Sequence, residues 1–149
     1  MKIGEICNRQ VVIIRPEESL LEAGKRMREY HVGCLVAVQE EQGRRSPVGI
    51  LTDRDLLIQV LSEGVSLEKI AVGDLMASKL VTANIEDEVY ETIKIMQEKG
   101  IRRLPVVDSE KNLIGILAMD DLLEFLTEEI QGLSKIYSRE QRKEAREHP

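Results

Sequence analysis

Gly49-Ile50-Leu51-Thr52-Asp53-Arg54-Asp55-Leu56-Leu57 decides how this chain is read. Residues 48–51 are apolar apart from Gly49, which predicts a short buried strand. Thr52 breaks that strand, and apolar positions resume at Leu56 as a helix begins. A helix that starts at the end of a strand turns its first free N–H groups toward whatever lies above it, an arrangement suited to an anion. Asp55, three residues after Thr52, adds a carboxylate able to accept from the vicinal hydroxyls of a ribose. The same pair also reads as a helix cap, in which Thr52 and Asp55 satisfy the first turn's own donors. On this stretch alone the cap is the favoured reading, since caps are common.

The chain contains the stretch twice. Ile114-Gly115-Ile116-Leu117-Ala118-Met119-Asp120-Asp121-Leu122-Leu123 repeats it, with Gly115, Asp121 and both leucines in register. Upstream, Ile3-Gly4-Glu5-Ile6-Cys7 matches Val72-Gly73-Asp74-Leu75-Met76, Met27 matches Met96, and Leu35-Val36-Ala37-Val38 matches Leu104-Pro105-Val106-Val107. These pairs lie 69 positions apart, but Gly49 and Gly115 are 66 apart, so the first copy carries a loop three residues longer. One unit has been duplicated. The expected division is residues 1–66, residues 67–128 and a charged helix or tail at 129–149. A unit of about 65 residues is marginal alone, so the two copies are expected to pack together.

Composition narrows the function classes. The 149 residues are 42% hydrophobic with only three Tyr, one Phe and no Trp, so the core must rest on Val, Ile and Leu. A formal charge of −6 argues against nucleic acid as a partner, since that surface needs a basic face. No apolar run approaches a membrane span, and the N-terminus does not read as a signal peptide. Cys7 and Cys34 sit inside apolar patterns and form neither a disulfide framework nor a zinc motif, which fits a reducing cytoplasm. His31 and His148 have no partner pattern.

In chain order, 11–14 is a short β-branched run ended by Pro16, and Ser19 with Glu22 forms a capping box for a helix with Leu20, Ala23, Met27 and Tyr30 on one face. Residues 32–38 predict a strand buried on both sides, 40–47 a solvated hairpin loop, and 53–61 a helix that stops at Gly64. The second copy offers a short run at 80–83, then a helix capped by Asp87 that carries Val89, Ile93 and Met96 and ends at Gly100. Strands follow at 101–107 and 113–117, around a turn at 108–112. The last helix starts near Asp120 with Leu122, Leu123, Leu126, Ile130 and Leu133, and 138–148 reads as a solvated or frayed end. Each copy is therefore β-α-β-β-α: an α/β fold of two tandem repeats with pseudo-twofold symmetry, its small mixed sheets flanked by helices.

Duplicated and in this order, Val72-Gly73-Asp74-Leu75-Met76, Arg102-Arg103-Leu104-Pro105-Val106-Val107-Asp108 and Gly49-Ile50-Leu51-Thr52-Asp53-Arg54-Asp55 resemble the segments of a tandem CBS-domain pair, the regulatory unit also called a Bateman module. The resemblance runs from residue 3 to about 126. It implies an adenosine derivative (AMP, ADP, ATP or S-adenosylmethionine) bound in clefts shared by the two repeats. By resemblance the ribose carboxylates fall on Asp55 and Asp121, and the phosphate-side hydroxyl on Thr52, where the second repeat has Ala118. The early-strand hydroxyl falls on Thr82, where the first repeat has Ile13. The basic residues fall on Arg102 and Arg103, where the first repeat has Gly33 and Cys34. One cleft then collects Thr52, Arg54, Asp55, Val81, Thr82, Arg102, Arg103 and Pro105; the weaker one collects Ile13, Gly33, Cys34, Ala118, Met119 and Asp121. Adjacent strand residues face opposite ways, so Arg102 and Arg103 share one cleft only if the strand has not yet begun there.

The expected function is a non-catalytic sensor of adenosine derivatives that signals through a change in packing to an unidentified effector protein. The alternative is a ligand-free interaction scaffold with vestigial clefts. An enzyme finds no support: the sequence offers no nucleophile–base pair, metal cluster or phosphate-cradling glycine loop, and no catalytic cofactor is called for. The resemblance implies a homodimer. Apolar helix faces at Leu56, Leu57, Val60 and Leu61 and at Leu122, Leu123 and Leu126 point the same way.

Overall fold

The computed structural model describes residues 1–76 and 79–148. Its elements follow the predicted order twice: β1 (Ile13–Ile14), α1 (Leu20–Tyr30), β2 (Cys34–Glu41), β3 (Arg44–Thr52) and α2 (Asp53–Glu63), then β4 (Ala83–Asn84), α3 (Val89–Lys99), β5 (Arg103–Val107), β6 (Leu113–Ala118) and α4 (Met119–Glu147). Short 3-10 turns at Ile3–Glu5 and Val72–Asp74 precede each copy. The strands form two three-stranded sheets, β1-β2-β3 and β4-β5-β6. In each, the first pair is parallel and the second antiparallel, as a helical crossover followed by a hairpin requires.

Register is duplicated as closely as sequence. Ile14 opposes Ala37 as Ala83 opposes Val106, and Leu35 opposes Leu51 as Leu104 opposes Leu117. Both hairpins shift register at the same point, between Ala37 and Val38 and between Val106 and Val107. The three extra residues of the first copy do not make the predicted loop over 40–47. They lengthen the hairpin into a ribbon that runs to Glu41 opposite Arg44. Gln42 and Gly43 close it with φ of 51° and 77°, the positive values that a mirror-image two-residue turn demands and that match the twist of the strands.

Three local expectations shift as well. Ser19 accepts from the Glu22 N–H at 3.2 Å, but the return bond of a capping box is not among those formed. Glu88 is the N-cap of α3, while the Asp87 carboxylate accepts instead from the Asn84 N–H at 2.8 Å. Tyr30 is exposed, since α1 buries only Leu20, Ala23 and Met27.

The two repeats exchange their leading segments. Ile3 is fully buried in the core made by Val89, Leu104, Val106, Leu117 and Phe125 of the second repeat, and Val72 is fully buried in the core of Leu20, Leu35, Ala37 and Leu51 of the first. Backbone bonds fasten both crossings: the Gly4 N–H donates to the Ile85 carbonyl and the Gly73 N–H to that of Pro16, each at 2.9 Å. Fully burying one such side chain contributes about 2 kcal/mol, so each repeat holds part of the other's stability.

The exchange also explains the glycine inside each hairpin. The leading segment lies directly over it. A Cβ on Gly49 would run into Met76 Sδ, and one on Gly115 would sit 2.7 Å from the Asn8 carbonyl oxygen. Asn8 and Ile116 exchange backbone bonds at 2.9 Å in both directions, which sets this separation in the second repeat. Only a residue without a side chain admits so close an approach.

The charged segment over 138–148, expected as a solvated or frayed helix end, continues α4 to Glu147, about 43 Å in all at 1.5 Å per residue. Among the described residues no helix is long and apolar enough to cross a membrane.

Candidate functional site

α2 begins where β3 ends, at the edge of the first sheet nearest the second repeat, because Thr52 is both the last residue of β3 and the N-cap of α2. Thr52 and Asp55 form the complete capping box. The Thr52 N–H donates to Asp55 Oδ2 at 3.0 Å, and the Asp55 N–H donates to Thr52 Oγ1 at 3.2 Å. The next donors are also engaged: the Asp53 N–H with the Gly33 carbonyl at 2.9 Å, and the Arg54 N–H with Asp53 Oδ1 at 2.8 Å. The expectation of free helix-start N–H groups for an anion is therefore not met. An anion here must rely on side-chain cations.

Those cations are present. A cavity of about 640 Å³ opens over the start of α2 and is lined from both repeats. Thr52, Arg54 and Asp55 form one wall, and Val81, Arg102 and Arg103 form the other. β5 begins at Arg103, so Arg102 lies before the strand and both arginines reach the cavity. Thr82 and Pro105 are not among the lining residues. Thr82 is exposed, and Pro105 is buried on the face of β5 opposite to Leu104 and Val106, which point into the core. The structure adds Lys79, Leu80, Gly100 and Ile101. Lys79 was legible: it is two residues before Val81, and its counterpart 69 positions earlier, Gln10, lines the other cleft.

The pseudo-symmetric cleft is smaller, about 250 Å³. Gly33, Cys34, Ala118 and Asp121 line it as grouped from the sequence, joined by Asn8, Gln10, Asp120 and Arg103, while Ile13 and Met119 do not. Asp121 Oδ2 accepts from the Ala118 N–H at 2.8 Å, but alanine has no oxygen to complete the box. Burial pushes the Cys34 thiol up to about 11; Arg103 opposes that rise while Asp53 and Asp55 add to it. Cys34 is thus a neutral thiol near pH 7, not a nucleophile.

Ile13 faces a third cavity, about 660 Å³, along the outer edge of β1. There Arg26 donates to the Ile13 carbonyl at 2.9 Å and pairs with the Glu18 carboxylate through both of its terminal nitrogens. The Glu18 carboxyl stays below its ordinary range. Its partial burial acts the other way and is outweighed by the Arg15 N–H and the Arg26 guanidinium. This cavity matches the first in volume, but its inner cation is already neutralised. The Asp55 cleft is therefore the candidate site. Its volume lies in the range of small-molecule sites, roughly 300–1,000 Å³, and the Asp121 cleft falls below it. Among the described residues, no group of three or more His, Cys, Asp or Glu is placed to hold a metal ion.

The fold, with two interlocked β-α-β-β-α repeats and clefts between them, is that of a CBS-domain pair. The family model described as CBS domain matches residues 3–62 and 72–128, and the chain belongs to that family. An uncharacterised protein of Methanopyrus kandleri is 40% identical over 124 residues, covering 83% of this chain and 62% of its own length. A CBS domain-containing protein of Bacillus subtilis is 34% identical over 113 residues, covering 76% of each. Among solved structures, a CBS domain protein from Pyrobaculum aerophilum complexed with AMP superposes with a TM-score of 0.72 at 22% identity, over 85% of this chain and 99% of that one.

Proposed function

We propose that this chain is a non-catalytic regulatory module that holds an adenosine derivative such as AMP, ADP or ATP in the Asp55 cleft and signals through a change in packing to a separate effector protein. One observation carries the reading: a cleft built by both repeats sets a carboxylate with a spare oxygen against cations from the opposite repeat. Asp55 Oδ2 is engaged by the Thr52 N–H, and among the described residues nothing donates to Oδ1. In this reading Oδ1 accepts from the ribose hydroxyls, Val81 and Ile101 flank the base, and Arg102, Arg103, Lys79 and Arg54 face the phosphates. The AMP complex of the Pyrobaculum aerophilum protein, which has the same fold, supports the ligand class. A ligand joining walls from both repeats biases how they pack, which is the output such a module offers.

The division into residues 1–66, 67–128 and 129–149 belongs to this reading, as does a homodimer. Leu57 and Leu61 of α2 and Leu123 of α4 are exposed, together with Ile58, which the sequence grouping left out; Leu122 is buried in the monomer. A paired module covers this apolar surface with its own copy. Free Cys7 and Cys34 fit a reducing cytoplasm.

A second reading, a ligand-free scaffold, draws on the closed capping box, in which Thr52 and Asp55 satisfy the start of α2 from within the chain. Thermal shift against AMP, ADP, ATP, NAD and S-adenosylmethionine separates the two. A ligand at 100 times its Kd stabilises the native state by about 2.7 kcal/mol, a rise of several degrees. No shift with any of them selects the scaffold.

A further inference from the structure

Every residue of α4 from Thr127 to Glu147 is exposed, a rod of about 31 Å with no cover from its own chain. An isolated helix takes most of its stability from an apolar face packed on something else. This one carries such a face: Ile130, Leu133 and Tyr137 continue, at spacings of four, three and four, the line that starts at Leu126 on the core, the spacing of a two-helix coiled-coil seam. Ile130, Leu133, Ile136 and Tyr137 are 64–68% exposed.

Charge identifies the occupant. Between Met119 and Glu129 the helix has five acidic residues and no basic one; between Ile130 and Glu147 it has five basic and three acidic. Two copies side by side in the same direction set acidic half against acidic half. Two copies in opposite directions set acidic against basic. In that orientation Leu133 meets Tyr137 of the second copy, Ile136 meets itself at the twofold axis, and Glu129 flanks the seam opposite Lys143 on both sides. The parallel alternative sets Glu129 opposite Ser134 and gains no ion pair.

We propose that the C-terminal half of α4 is a self-association element that pairs antiparallel with α4 of a second copy of this chain. The contact is independent of the Asp55 cleft and of the α2 surface. It gives the modules a second contact through which to assemble.

The test is sedimentation of the full chain at micromolar concentration, made in a Leu57→Asp/Leu61→Asp background so that any contact through α2 is removed. This background is expected to remain a dimer, and adding Leu133→Asp to yield a monomer. Leu133 is exposed, so the domains stay folded, and urea midpoints verify it. A charge exchange then examines direction. Glu129→Lys or Lys143→Glu alone turns both flanking contacts repulsive and raises the dissociation constant about ten-fold at low salt. The double exchange restores it. A monomeric background, a mass untouched by Leu133→Asp, or a double exchange no better than the singles overturns the proposal.

Discussion

At the Asp55 cleft the cavity wall holds Lys79, Arg102, Arg103 and Thr52; at the Asp121 cleft the equivalent positions hold Gln10, Gly33, Cys34 and Ala118. The backbone under the two sets has the same strand order, register and bulge. The two copies thus share a frame and differ in the side chains on it. Three cations and a hydroxyl in one cleft stand against an amide, a glycine, a half-buried thiol and a methyl group in the other. Arg103 is shared, lining both cavities, so its charge is the one basic contribution to the poorer cleft that comes from this equipment.

The sharpest way to break that comparison is to remove each carboxylate. On the proposed reading, Asp55→Ala loses two charge-assisted bonds to ribose, about 3 kcal/mol, or roughly a hundred-fold in Kd. Asp121→Ala leaves binding within a factor of about two. A 2′-deoxy analogue should bind the unaltered protein roughly ten-fold more weakly, and Asp55→Ala should erase that preference. Calorimetry with AMP reads all three. Loss of binding on Asp121→Ala alone means that the poorer cleft is the occupied one.

The two hairpin glycines sharpen the contrast in stability. A Cβ at position 115 meets the Asn8 backbone, which is held by paired hydrogen bonds and cannot step aside. A Cβ at position 49 meets the flexible thioether of Met76. Overpacking costs about 1–3 kcal/mol, more where backbone must move. Gly115→Ala should therefore lower stability by about 3 kcal/mol and Gly49→Ala by about 1 kcal/mol in urea titrations. Equal losses would show that the leading segments are held alike.

A smaller effect tests the cations. Removing Arg102 and Arg103 together should weaken ADP about ten-fold, roughly 1.4 kcal/mol, and adenosine hardly at all. Their side chains are exposed, so each guanidinium acts through water and contributes modestly. Equal weakening of both ligands assigns the arginines to the base or the sugar.

The repeat made most of the fold legible, because a motif stated twice fixes element order and approximate register without any contact information. Of the residues grouped from the sequence, Thr52, Asp55, Arg102 and Arg103 line one cavity. Thr82, Pro105 and Ile13, grouped by resemblance, do not line the two clefts. Which face a strand residue shows depends on where pairing begins, and β1 and β4 are only two residues long. The hairpin of 40–47 read as a loop because its strands are solvated on both faces and carry no apolar alternation. The leading-segment exchange had no signal beyond Gly49 and Gly115 themselves. The spacing of Thr52 and Asp55 does announce the cap that engages two donors of α2; it cannot show that the Asp53 N–H is taken as well, since this depends on the Gly33 carbonyl of a neighbouring strand end.

The smallest effect concerns the caps and can be read in both directions. Thr52 Oγ1 and the Asp55 carboxylate satisfy two backbone N–H groups reciprocally, whereas at the start of α4 only the Asp121 half of that exchange exists. A threonine or serine cap in place of alanine is worth about 1 kcal/mol. Thr52→Ala should thus lower stability by about 1 kcal/mol, and Ala118→Thr should raise it by up to about the same amount. The Ala118 backbone is already in the extended conformation of an N-cap, at φ −112° and ψ 156°, close to the −109° and 161° of Thr52, so the new hydroxyl needs no rearrangement to reach the Asp121 N–H. The pair of substitutions moves the hydroxyl from one cleft to the other with nearly constant total stability. If the Thr52 hydroxyl also touches phosphate, Thr52→Ala weakens AMP more than adenosine. If Ala118→Thr does not stabilise in urea titration, the Asp121 N–H is already satisfied by another group, and the asymmetry of the caps is one of sequence alone.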